Sequence, residues 1–329
     1  MVDEVLGSRP DSRVQASPPT DGTTRGIAAP QGFSVRYSPA GLAGHWHDVA
    51  FLADGRVGVL VGRCADGEAD GETASRFRSA ARSVLLATAD PVRTLDGVTE
   101  SAVSALCAVI DEHNVGYSTH GDASATVSAP EAPYFALDPT DGRLGTAELT
   151  PGATVLLCTA PVGPAANALD GSESVHPDEV ADEVMTRIAG PGVAAVLYRH
   201  PPEPLTITLA AEPASLAVSR GRLRRWLASA GVDTEVGADV LLAVGEATAN
   251  ATEHAVLGAN RDVIITVTAA LSSRCLRLAV SDNGVWKSVT GLPGHRGHGI
   301  RLINALVDSA ELVTTAEGTT VEMVKELRP

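Results

Sequence analysis

The stretch Leu241-Leu242-Ala243-Val244-Gly245-Glu246-Ala247-Thr248-Ala249-Asn250-Ala251-Thr252-Glu253-His254 decides how the C-terminal half of the chain is read. It lies in the second of two helices expected near 213–230 and 234–257, parted by Gly231-Val232-Asp233. Residues four apart on a helix share a face, so Glu246, Asn250 and His254 form one row. A solvated stripe is one reading of such a row, but stripes of that kind are normally built from Lys, Glu and Arg in i,i+4 pairs. Here the row is bordered by Ala243, Ala247 and Ala251, which leave room for another group to approach.

Working outward, Leu205-Thr206-Ile207-Thr208-Leu209 alternates as a strand does. Runs rich in β-branched residues follow the helices at Val263 to Thr268 and Leu276 to Val280. The second run ends in Ser281-Asp282-Asn283-Gly284, a turn in which an aspartate is commonly structural. Glycines recur at Gly294, Gly297 and Gly299 before an apolar helix from Ile300 to Val307. Backbone amides at such a helix start can hold an anion without a lysine. Strands at Glu311 to Thr315 and Thr319 to Val324 close the segment, with Gly318-Thr319-Thr320 opening the last one. Helices beside a mostly antiparallel sheet predict an α+β sandwich.

In their order these motifs resemble the GHKL (Bergerat-fold) ATP-binding superfamily over about residues 205–327, and within it the bacterial anti-sigma-factor serine kinases. Glu246-x-x-x-Asn250-x-x-x-His254 is similar to the N box, Asp282-x-Gly284 to the first glycine box, Gly297-x-Gly299 to the second, and Gly318-Thr319-Thr320 to the terminal threonine motif. The short stretch between Gly284 and Gly297 resembles the anti-sigma branch, whereas sensor kinases carry a longer lid. The resemblance implies that Asn250 holds Mg²⁺ with ATP and that Glu246 accepts the proton of an incoming serine hydroxyl. It implies adenine recognition by Asp282 and Gly284, with support from Thr319 and Thr320, and phosphate binding by the Gly297 and Gly299 amides. His254 keeps a structural or phosphate-adjacent role. His298 stands where the family often has arginine, a weaker attraction for phosphate that Arg301 or Arg296 would offset.

Residues 33–199 resemble the PPM-type serine/threonine phosphatases of the SpoIIE branch. The likeness is carried by Arg36-Tyr37-Ser38-Pro39-Ala40, Gly44-His45-Trp46-His47-Asp48-Val49, Asp54-Gly55-Arg56-Val57 and Leu149 through Thr159. That family grips two metal ions with aspartates. Here His45, Arg63, Ala160-Pro161 and Pro191-Gly192 stand at the aspartate positions, and the resemblance therefore implies a pseudophosphatase. His45-x-His47-Asp48 puts two imidazoles on one strand face, a zinc pattern without a nameable third ligand. The acidic run Asp66 to Glu72 has calcium-loop spacing but Phe77 at position twelve, so it reads as a solvated turn. Arg222, Arg224 and Arg225 read as an exposed helix face, with partner docking as the alternative.

The 329 residues carry a net charge of −15, of which −13 falls in residues 1–200. That field repels nucleic acid and anionic lipid, so neither is an expected partner. Residues 1–31, rich in Pro, Ser, Gly, Thr and Asp, are expected to form a disordered arm. The prolines of His200-Pro201-Pro202-Glu203-Pro204 mark a linker at 201–204 between a unit at 32–200 and another at 205–329. Cys64, Cys107, Cys158 and Cys275 are far apart and read as buried free thiols. No apolar run approaches membrane-spanning length, and a cytoplasmic location is expected. The reading is an ATP- and Mg²⁺-dependent regulatory serine kinase of anti-sigma type, acting on a sigma factor, a STAS-domain antagonist or both, with a homodimer implied by resemblance. Its rivals are a nucleotide-gated binding module without phosphotransfer and an active metal phosphatase, the latter disfavoured by the lost aspartates.

Overall fold

The computed structural model describes residues 32–37, 44–64, 71–97, 102–130, 133–137, 143–188, 193–256, 263–272, 275–284 and 298–327. The arm at 1–31, the acidic run at 65–70, Pro191-Gly192 and the stretch 285–297 lie outside these residues.

The N-terminal elements run in the order β1 (Phe33–Tyr37), β2 (His45–Phe51), β3 (Val57–Cys64), α1 (Gly71–Thr88), α2 (Pro91–Asp96), β4 (Ala102–Ile110), β5 (Asn114–His120), β6 (Ser124–Ser128), β7 (Phe135–Leu137), β8 (Gly145–Glu148), β9 (Thr154–Cys158), α3 (Pro177–Arg187) and β10 (Ala194–Arg199). They build two antiparallel sheets, β1-β10-β9-β6-β7 and β2-β3-β4-β5-β8. Val35, Val155, Leu157 and Val196 of the first sheet meet Val59, Val61, Leu106 and Ile110 of the second in one core. Ala74, Ala81 and Leu85 of α1 and Leu95 of α2 cover the outer face of the second sheet. Val180, Ala181 and Val184 of α3 cover the outer face of the first. The result is a four-layer sandwich, helix, sheet, sheet, helix.

One element departs from the sequence reading. The sequence read on its own places a helix near 96–113, but the chain forms the short α2 and then the strand β4. Asp90 caps α2, its Oδ1 accepting from the amides of Val92 and Arg93, and Gly97 follows its last residue. β4 is covered on both faces: Leu106, Ala108 and Ile110 enter the core between the sheets, and Ala105, Cys107 and Val109 the core beneath the helices. A strand buried on both sides shows no alternation, so its apolar run is ambiguous between strand and helix.

The C-terminal elements are β11 (Leu205–Ala210), α4 (Pro213–Ser229), α5 (Thr234–Val256), β12 (Ile264–Ser272), β13 (Cys275–Asp282), α6 (His298–Leu306), β14 (Ser309–Thr314) and β15 (Thr319–Glu326). The five strands form one antiparallel sheet in the order β11-β12-β13-β15-β14, as the α+β reading predicts. Leu223, Trp226 and Leu227 of α4, Val240, Val244 and Ala247 of α5, and Ile303 of α6 bury against Ile207, Ile265, Val267, Leu278 and Val280 of the sheet. Each such aliphatic side chain contributes about 1.5–3 kcal/mol when fully withdrawn from water.

The connector is held at both ends. The Gly152 amide donates to the Pro201 carbonyl at 3.1 Å, the His200 ring bonds the Glu112 carbonyl through Nε2 at 2.8 Å, and the Trp226 indole of α4 donates to the Glu203 carbonyl at 2.7 Å. Cys64, Cys107 and Cys158 are buried free thiols, while Cys275, on the edge of a core, is half-buried and also free.

Candidate functional sites in the two units

α5 starts where Asp233 Oδ1 accepts from the amides of Glu235 and Val236 at 2.9 and 3.3 Å. Ala243, Ala247 and Ala251 are buried in the core, so α5 packs close to the sheet and presents Glu246 and Asn250, both half-buried, along its edge. Neither side chain has a hydrogen bond or ion pair with another described residue. Gly299, in the first turn of α6, lies against both: a Cβ built there would stand 2.6 Å from Glu246 Oε1 and 2.9 Å from Asn250 Nδ2. The fold thus delivers the amide-rich start of α6 to the carboxylate and carboxamide of α5. Lys325 fixes the other end of α6 by donating to the Leu306 carbonyl at 2.7 Å, and reaches Asp239 of α5 at 3.4 Å.

A second group of predicted residues meets where β13 and β15 pair. Asp282 is the register partner of Thr319, and Ser281 that of Thr320. The Gly284 amide donates to Asp282 Oδ1 at 2.8 Å, and Thr320 Oγ1 donates to Ser281 Oγ at 3.0 Å. Gly318, at φ +155°, brings the start of β15 onto the Asp282 backbone, where a Cβ would overlap the Asp282 carbonyl oxygen. No L-side chain fits there, so the terminal threonine motif depends on that glycine.

The structure thus assembles Glu246, Asn250 and Gly299 in one group and Asp282, Gly284, Thr319 and Thr320 in another, joined by α5 packing on β13. Arg301 is exposed on α6. Gly297 lies outside the described residues, as do the side chains of His254 and His298, whose backbones belong to α5 and α6. Arg220 escaped the sequence reading: its Nη2 would stand 3.5 Å from a Cβ at Gly245, so the guanidinium lies against α5 at that glycine. A glycine inside a helix otherwise rich in alanine was the signal for it.

The N-terminal unit differs in its chemistry. His45 and Arg63 face each other across β2 and β3. The Tyr37 hydroxyl of β1 bonds His47 Nδ1, and its ring centroid lies 6.4 Å from that of His45. Asp48, the acidic residue left from the resemblance motif, is tied to Arg82 of α1 at 2.6 Å. Burial holds the His45 imidazole at a pKa of about 4, with Arg63 adding to the shift. Burial likewise lowers His47 to about 4, Arg78 reinforcing and Asp48 opposing the shift. Both rings are neutral near pH 7. At the ends of the strands, the Thr159 carbonyl accepts from Ser104 Oγ at 2.6 Å and the Ala160 carbonyl from Ser124 Oγ at 2.7 Å. No group of three His, Cys, Asp or Glu side chains converges among the described residues, so the two-histidine zinc pattern gains no third ligand there. Trp46 packs into the core across β3, over Gly62, where a Cβ would overlap its indole.

Fold and sites together define a two-part molecule, a four-layer helix-sheet-sheet-helix sandwich followed by a helix-on-sheet sandwich. Residues 209–325 match the histidine kinase-like ATPase domain family, and this part of the chain is such a domain. The chain is similar in fold to the crystal structure of the RsbU and RsbW domains of Rv1364c from Mycobacterium tuberculosis, with TM-score 0.52 and 22% identity over 93% of this chain and 98% of that one. RsbX in complex with magnesium matches with TM-score 0.41 and 12% identity, covering 53% of this chain and 98% of that one. The phosphatase domain of SpoIIE from Bacillus subtilis matches with TM-score 0.33 and 9% identity, covering 53% of this chain and 96% of that one. Among the described residues, no helix is long and apolar enough to cross a membrane.

Proposed function

We propose that the chain is a regulatory, cytoplasmic protein serine kinase of anti-sigma type that works with ATP and Mg²⁺. It would sequester a sigma factor, phosphorylate a STAS-domain antagonist, or both, through a unit at 205–329 connected by 201–204 to a non-hydrolysing phosphatase-like unit at 32–200. The observation that carries this reading is the approach of Gly299 to Glu246 and Asn250, two polar side chains with no hydrogen bond or ion pair to another described residue.

The residues fit the nucleotide and its metal. The cradle at Gly299 would be filled by any Cβ, and Asn250 offers a neutral amide oxygen of the hard kind that Mg²⁺ accepts. In this reading Asn250 holds the metal, and the Gly297 and Gly299 amides with Arg301, His298 and His254 line the phosphates. Asp282, Gly284, Thr319 and Thr320 hold the base. When bound, Mg²⁺-ATP supplies the phosphoryl group and the charge neutralisation that its transfer requires. Glu246 takes the proton from the incoming serine hydroxyl. Arg220, beside Gly245, adds positive charge against α5.

The test is phosphotransfer to STAS-domain candidates by the wild type and by Glu246→Ala. Transfer by the wild type that the variant loses supports the kinase; silence from both, with ATP still bound, establishes the nucleotide-gated binding module instead. His298, at a position where the resemblance expects arginine, favours that second reading. An active metal phosphatase is opposed by the Asp48–Arg82 pair and by Arg63 facing His45.

A further inference from the structure

The end of α4 is held by the connector and by the N-terminal unit at two separate points. Trp226 donates its indole N–H to the Glu203 carbonyl of the connector at 2.7 Å. Further on, Gly231, at φ +63°, seats the turn between α4 and α5 on the start of α3 and the entry to β1. A Cβ built at Gly231 would stand 3.2 Å from Pro177 Cγ and 3.5 Å from Gly32 Cα, so the turn reaches the other unit because it has no side chain there. The same left-handed residue closes α4, with the Gly231 amide donating to the Ala228 carbonyl and the Val232 amide to the Leu227 carbonyl, each at 3.0 Å.

Both sides of this contact are fixed within their own units. On the N-terminal side, His176 Nδ1 caps α3 by accepting from the Asp178 amide at 3.2 Å. Asp178 also accepts from Ser34 Oγ of β1 at 2.6 Å, and Arg36 of β1 donates to Asp182 at 2.5 Å. The buried Arg199 at the end of β10 donates to the Ser172 and Glu173 carbonyls at 3.1 and 2.9 Å, and its amide donates to the Gly32 carbonyl at 2.8 Å. A buried guanidinium is stable only with its donors satisfied, so these bonds hold the loop before α3 in place. On the C-terminal side, Leu227, Ala230 and Val232 are buried in the core and Asp233 caps α5. Two close-packed backbones fixed in this way cannot shift independently where they touch. Glu246 lies thirteen residues beyond Asp233 on the same helix, about 20 Å from the turn, so a displacement of the turn is carried along α5.

We propose that the start of α3 and the entry to β1 form a docking platform for the α4–α5 turn of the same chain, through which the N-terminal unit sets the position of α5 and tunes nucleotide binding at Glu246, Asn250 and Gly299. The docking stands on the contact itself, whereas the tuning rests on the reading of that group as a nucleotide site. Coupling of this kind is reciprocal: what the platform does to ATP affinity, ATP does to the platform.

The test is amide hydrogen exchange of the full chain, read by mass spectrometry, beside calorimetric titration of the same proteins with ATP and Mg²⁺. Pro177→Ala removes the N-terminal side of the contact and leaves a good helix former at the start of α3. It should speed exchange in the α4–α5 turn about tenfold or more and change the ATP dissociation constant about fivefold or more. Gly231→Asn keeps a residue that accepts left-handed backbone but drives a side chain toward Pro177 and Gly32, and should loosen the start of α3 by a similar factor. Glu183→Ala breaks only the exposed Glu183–Arg187 pair farther along α3 and should leave both readings unchanged. Turn exchange indifferent to Pro177→Ala, or a response to Glu183→Ala of the same size, overturns the docking. Faster exchange with an unmoved ATP dissociation constant overturns the tuning. A wild type that binds no ATP contradicts the nucleotide reading and the tuning with it, and the docking is then decided by exchange alone.

Discussion

The two units treat the polar groups at their hearts in opposite ways. In the C-terminal sandwich Glu246 and Asn250 stand beside Gly299 without a hydrogen bond or ion pair to another described residue. In the N-terminal sandwich Asp48 is neutralised by Arg82, His47 is bonded by Tyr37, and an arginine faces His45. An acceptor with no partner among the described residues is open to a metal or a proton, whereas an acid paired with a base is less available to either. The framework of both units is intact, with buried sheets and well-packed helices, so the contrast lies in a few side chains and not in the fold.

The largest effect should come from removing the proton acceptor. Glu246→Ala is expected to slow phosphotransfer about 10²–10⁴-fold, within the range of a general base, as read in a steady-state transfer assay. An equal loss from Arg82→Ala in the N-terminal unit would erase the contrast. Next, Gly299→Val should push side-chain carbons onto Glu246 Oε1 and Asn250 Nδ2, lowering ATP affinity about a hundredfold in a calorimetric titration. Near-normal affinity would mean that α6 is not where the phosphates bind.

The third prediction concerns acid. His45 and His47 are held at pKa values of about 4 in the folded protein, against about 6.5 in the unfolded chain. Both states are neutral above that value, so the stability is fully present there. As the pH falls from about 6.5 through 4, the unfolded chain takes up protons that the folded chain refuses, and stability is lost. Thermal midpoints should therefore fall over that window, and His45→Gln with His47→Gln should flatten the slope. An unchanged slope would remove the buried, neutral His45 and His47 from the comparison. The smallest effect is expected from Arg82→Ala, which breaks a partly exposed ion pair and should cost about 1 kcal/mol or less in chemical denaturation.

Much of this was legible before any coordinates. The i,i+4 spacing of Glu246 and Asn250 matches their shared face on α5, and alternation at Leu205 to Leu209 sets β11. A helical reading of β4 arises because Ala105 to Ile110 is buried on both faces, which removes the alternation that marks a strand. The place of Arg220 over Gly245 and the Tyr37–His47 bond were not readable either, because each joins elements whose approach is a tertiary fact. The substitutions at His45 and Arg63 were visible in sequence, but their mutual facing across β2 and β3 follows from strand register.

The most direct test of the central claim is a calorimetric titration of the full chain with ATP in the presence of Mg²⁺, comparing wild type with Asn250→Ala. Saturable, Mg²⁺-dependent binding by the wild type, weakened about tenfold to a hundredfold in the variant, is the predicted result. Failure of the wild type to bind, or equal binding by both proteins, would contradict the assignment of the Glu246, Asn250 and Gly299 group as the nucleotide site.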